Sequence, residues 1–159
     1  MERYFRTEKG QLVDIIDYAA NQIKLNPTTK IIIGCDSQVH GPKITYVLCI
    51  IFRFGANGAH GIHKRIKEDR PPKNVPQGEQ VLERLSNEVY KTMELAQYIS
   101  DNSSIKIHAV EFDFNEEEIH MSNKLIAMAT GWAKGLGYNV RVKPEELLAC
   151  KYADYLCRS

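Results

Sequence analysis

Lys30-Ile31-Ile32-Ile33-Gly34-Cys35-Asp36-Ser37-Gln38 is the stretch on which the fold turns. Three successive isoleucines with no polar interruption read as a central strand buried on both faces. A carboxylate then closes the strand, followed by two uncharged polar residues. Asp36 is either a turn residue capping its own backbone or a carboxylate facing a ligand. Gly41-Pro42 signals a turn, and Ile44 to Phe54 is a second long strand. Asn57-Gly58 is a hairpin signal. A third strand follows over Ala59 to Glu68, basic enough to be expected at or near a sheet edge. Three consecutive strands with short turns make an antiparallel meander.

Upstream, Leu12, Ile15, Ile16, Ala19 and Ile23 recur at helical spacing, predicting a helix from Gly10 to Leu25 ended by Asn26-Pro27. Residues 1–27 thus read as an amino-terminal helical extension of one domain, 1–159. Downstream, the breaker-rich Arg70 to Pro76 leads into a long helix, Gln77 to Ser100. Ile105 to Phe114 is a fourth strand. Asn115 with Glu118 resembles a capping box opening a helix that closes at Gly135 or Gly137. Tyr138 to Val142 is a short fifth strand, and a last helix runs from Glu145 to the carboxyl end. The order α-β-β-β-α-β-α-β-α predicts an α/β fold: a mixed five-stranded sheet, three antiparallel strands then parallel crossovers, with helices on both faces.

The 159 residues suffice for one core, and 21 Lys+Arg against 20 Asp+Glu leave a net charge of +1. That balance argues against coating nucleic acid by bulk electrostatics. The longest apolar run, Ile44 to Phe52, is far below the roughly 18 residues of a membrane span, and Met1 to Gly10 has no signal-like stretch. Cys35, Cys49, Cys150 and Cys157 lack zinc spacing and read as reduced thiols of a cytoplasmic protein.

Four acids stand where a solvated residue should not. Asp36 ends the first strand. On a helical wheel with Val81 at zero, Glu88 falls at about −20°, inside the apolar arc of Leu85, Val89, Thr92, Leu95, Ala96 and Ile99. A buried carboxylate there needs a cation, from Arg84, Lys91 or a metal. Asp113 shares a strand face with Glu111, the reserve candidate, and sits at the end where open α/β sheets bind ligands. Asp154 lies in the second half of the last helix, where negative charge is locally unfavourable unless Arg158 or a divalent cation offsets it. Hard oxygen ligands without a His/Cys cluster suit Mg²⁺ or Mn²⁺.

These motifs resemble the YkuK-like family of predicted ribonuclease H-like proteins. The resemblance is carried by Gly34 to Gln38, Arg84 to Val89, Phe112 to Asn115, Ser122-Asn123-Lys124, Gly131 to Tyr138, Val142-Lys143-Pro144 and Ala153 to Arg158. It implies a ribonuclease H-like fold and a two-metal nuclease centre, with Asp36, Glu88, Asp113 and Asp154 as metal-holding, catalytic acids. Glu83 is the alternative on the long helix, since its register is open. The implied partner is nucleic acid: RNA, DNA or a hybrid. Lys64, Arg65, Lys67, Arg70 and Lys73 around the third strand, with Lys143, are candidate phosphate contacts or a solvated charged edge. The rival expectation is a non-catalytic nucleic-acid- or protein-binding module of the same fold. A phosphotransferase is disfavoured, for no GxxxxGK[ST] loop occurs.

Overall fold

A computed structural model of the chain describes residues 3–56, 58–114, 116–143 and 145–158, without the side chains of 116–122. Asn57, Asn115 and Pro144, and the side chains of Glu118 and Ser122, lie outside the described residues. The hairpin signal, the capping box and three of the resemblance motifs are therefore described only in part.

The elements are β1 (Tyr4–Arg6), β2 (Leu12–Asp14), α1 (Ile15–Leu25), β3 (Lys30–His40), β4 (Lys43–Arg53), β5 (Ala59–Asp69), α2 (Gln77–Asn102), β6 (Ala109–Glu111), α3 (Glu116–Gly135), β7 (Val140–Arg141) and α4 (Ala149–Arg158). One sheet carries the order β2-β1-β5-β4-β3-β6-β7. The meander β3-β4-β5 is antiparallel over its full length, and β6 and β7 add in parallel. Helices α1, α2 and α3 cover one face, burying Ile31, Ile33, Leu48 and Ile50. Among the described residues helix α4 covers the other, over Ile32, Val47, Cys49 and Ile51.

The mixed sheet with helices on both faces agrees with the sequence expectation; its strand number does not. Among the described residues the sheet has seven strands, not five, and the order gains two strands before α1. Residues 1–27 are therefore not a purely helical extension. Thr7 N–H donates to the Gln11 carbonyl at 2.9 Å, closing a hairpin through Gly10 at φ 82. Its first strand docks on β5 at Arg6↔His63. The basic third strand thus lies near the edge, as expected, with β1 paired to it at that one position and β2 outermost. Apolar periodicity through Leu12 concealed the true helix start, which Asp14 caps by accepting the Ile16 and Asp17 N–H groups at 3.0 and 3.1 Å.

Candidate functional site

The site follows from unequal strand lengths. Strand β3 pairs with β4 throughout, but with β6 only at Ile32↔Ala109 and Ile33↔Val110. Among the described residues no strand pairs with that side of β3 beyond Ile33, and a crevice opens outside the carboxyl ends of β3 and β6. Ligands of open α/β sheets bind at such a point. A cavity of about 270 Å³ lies there, and Asp36, Glu88, Asp113 and Asp154 all line it. Glu83 is exposed and Glu111 stands outside the lining, so the structure brings Glu88 and Asp113 into the cavity.

Each acid arrives by a different physical route. Asp36 shares the α4 side of β3 with Ile32 and Gly34. Glu88 is buried on the inner face of α2. Asp113 lies two residues past the end of β6. Asp154 depends on α4, whose close seating needs small residues. A Cβ on Gly34 would stand 3.1 Å from Ala149 Cβ and 3.2 Å from Cys150 N. Ala149, Ala153 and Cys157, spaced by four, complete the buried stripe that rests on the sheet.

Helix α4 is also clamped at both ends. Glu111, fully buried, accepts the N–H groups of Leu148, Ala149 and Cys150 at 2.9, 2.7 and 3.0 Å. A carboxylate at a helix amino end satisfies orphan donors and the dipole together. Burial pushes the Glu111 carboxyl up, against the opposing pull of these three N–H bonds. At the other end Arg65 Nη1 donates to the Leu156 carbonyl at 2.7 Å, and His40 Nε2 lies 3.2 Å from the Cys157 carbonyl oxygen. The expected helix start at Glu145 is corrected to Ala149, because the cap comes from a distant strand and not from the local sequence.

The cavity's charges are closely matched. Burial first, then the neighbouring charges of Asp154 and Asp113, push Asp36 up to about 7. The Ser37 backbone N–H and the neighbouring Glu88 side chain draw the Asp36 carboxyl down against this. Lys143 Nζ stands 2.9 Å from Asp113 Oδ1, and Arg158 Nε 3.2 Å from Asp154 Oδ1. Arg84 lines the cavity too. Lys91 pairs with Glu68 at 2.7 Å.

The donor set can be tested against a hard divalent cation. Among the described residues Ser37 Oγ is buried at the cavity without a hydrogen-bond partner, and the buried Asp113 Oδ1 meets the Lys143 ammonium. A buried serine hydroxyl beside four converging carboxylates is the hard-oxygen chemistry Mg²⁺ or Mn²⁺ selects. Among the described residues, no three His, Cys, Asp or Glu side chains stand in metal-holding geometry. Lys143 and Arg158 engage two of the four acids. The residues fit a hard cation in kind, and binding one would require those two pairs to open.

The candidate phosphate contacts do not form one strip. Arg65 and Lys67 alternate with Lys64 along β5, so they face the α4 side and Lys64 the other. Arg65 and Lys67 share a groove of about 480 Å³ with His40 and Lys43. Lys43 is engaged by Asp69. Arg70 Nε donates to Gln80 Oε1 at 3.4 Å, and Lys73 is exposed in the connection to α2. Only Lys143 of the six lines the acidic cavity. All four cysteines are free and buried, and burial pushes their thiols up, Cys157 to about 12. Among the described residues no helix is long and apolar enough to cross a membrane.

A family model described as Ribonuclease H-like matches residues 12–158. No curated protein matches the chain.

Proposed function

The chain belongs to the ribonuclease H-like family, and from that premise we propose that it is a metal-dependent nuclease hydrolysing phosphodiester bonds of nucleic acid by a two-metal-ion mechanism. The observation that carries the reading is the convergence of Asp36, Glu88, Asp113 and Asp154 on one cavity at the carboxyl ends of β3 and β6. Mg²⁺ or Mn²⁺ held by these four acids would supply Lewis-acid activation of water and neutralise charge at the phosphate. The chain's own residues do the rest. Asp36, between Glu88 and the α4 side, is the acid best placed to serve both halves of the site. Asp113 and Asp154 close it from the β6 and α4 sides. Lys143 and Arg158 offer cationic groups at its solvent rim for the phosphate backbone.

The test is cleavage. Purified protein with Mn²⁺ or Mg²⁺ is offered RNA, DNA and RNA–DNA hybrid, and Asp36→Asn should abolish whichever cut appears. No cleavage of any of them by the wild type would remove the catalytic claim. A second reading, a binding module that keeps the fold without cleaving, is favoured by the ion pairs already on Asp113 and Asp154. It predicts nucleic-acid or protein binding that divalent cations leave unchanged.

A further inference from the structure

We infer that Lys143 and Arg158 are displaceable counter-cations of the acidic cavity: they neutralise Asp113 and Asp154 until a divalent cation takes those carboxylates, and are thereby released to hold a nucleic-acid phosphate. The inference rests on the metal-dependent reading above and adds an order of binding, metal before nucleic acid, with the two favouring each other.

Three observations support it. First, both cations approach from solvent. Their side chains are 54% and 70% exposed, while the Asp113 and Asp154 side chains are 25% and 41% exposed. The Arg158–Asp154 pair is largely exposed and contributes little to stability, and the Lys143 ammonium reaches the buried Asp113 Oδ1 from the solvent side, so a better cation can replace either. Second, the Lys143 contact to the cavity is an ion pair, its ammonium 2.9 Å from Asp113 Oδ1. A lysine stem is flexible enough to swing outward, and an ammonium is a compact point charge suited to a phosphate. Third, the cavity holds four carboxylates against three cationic side chains, Arg84, Lys143 and Arg158. A polyanion approaching that near-balance gains no net attraction. Once divalent cations satisfy the carboxylates, the same three side chains are surplus positive charge at the rim. Coupling between two ligands is reciprocal, so nucleic acid must tighten metal binding by the factor that metal tightens nucleic acid.

The prediction has opposite signs for two ligands, which a purely structural role would not give. Wild type, Lys143→Gln and Arg158→Gln are titrated with Mn²⁺ by calorimetry, without nucleic acid. Each is then titrated with a phosphorothioate single-stranded oligonucleotide, with and without saturating Mn²⁺. The variants should bind Mn²⁺ about twofold to fivefold more tightly than wild type. They should also bind the oligonucleotide more weakly when Mn²⁺ is present, with a salt slope lower by about one per cation removed. Mn²⁺ affinity equal to or weaker than wild type in both variants overturns the inference while leaving the metal-dependent reading intact. A wild type that binds no Mn²⁺ overturns both. Melting curves superimposed on wild type, as expected for side chains this exposed, show that the variants fold.

Discussion

Glu111 Oε1 accepts the Ala149 N–H at 2.7 Å, and through this bond the strand leading to Asp113 is tied to the helix carrying Asp154. The carboxylate also receives Leu148 and Cys150, so three helix-end donors depend on one buried side chain. Glu111→Ala should lower stability by about 3 kcal/mol or more, since it strands those donors out of reach of water. Glu111→Gln keeps an acceptor oxygen and should lose roughly half as much. Urea denaturation measures both, and an Ala variant as stable as wild type would show that α4 is not held this way.

Gly34 sets how closely α4 lies on β3. Gly34→Val must push against Ala149 and the Cys150 backbone, and a shift of α4 should cost about 1–3 kcal/mol. The buried Cys150 and Cys157 thiols should then react faster with a thiol reagent than in wild type. Unchanged thiol reactivity and unchanged stability would contradict the close-seating argument.

Asp36 makes stability depend on pH in a stated direction. Its carboxyl is held near 7 in the folded chain against an ordinary value of 3.8, so the folded form binds the extra proton. Its contribution is full below the ordinary value and is lost as pH rises through about 7. With a chelator present, the wild-type melting temperature should fall across that window, and Asp36→Asn should flatten the fall and melt several degrees higher at alkaline pH. A wild-type profile that rises across the same window would contradict the assignment.

Arg65 separates a structural from a nucleic-acid role. Its bond to the Leu156 carbonyl places a cation at the carboxyl end of α4. Arg65→Gln should cost about 0.3–1 kcal/mol. A variant of unchanged stability whose nucleic-acid affinity drops would return Arg65 to the phosphate contacts.

The long elements were legible in sequence because they carry their own signal. Ile31 to Ile33 and the unbroken Ile44 to Phe52 are buried whatever surrounds them, and α2 shows its inner face by periodicity alone. Glu88 could be separated from Glu83 for the same reason. The short β1–β2 hairpin was missed, since three-residue strands have too few side chains to establish a period of two. The start of α4 was missed because its cap, Glu111, is 38 residues away from Ala149. Glu111 and Asp113 share a strand face and were indistinguishable by alternation. What separates them is that one meets the backbone of α4 and the other a cavity. The basic residues around β5 read as a cluster in sequence, but alternation divides them between two faces of the sheet.

Calorimetric titration of Mn²⁺ into wild type and Asp36→Asn tests the central claim most directly. The four-acid cavity predicts saturable binding to the wild type and an affinity at least about tenfold weaker in the variant, as loss of a carboxylate ligand requires. A wild type that takes up no Mn²⁺, or two proteins that bind it equally, would contradict the assignment of Asp36, Glu88, Asp113 and Asp154 as a metal centre.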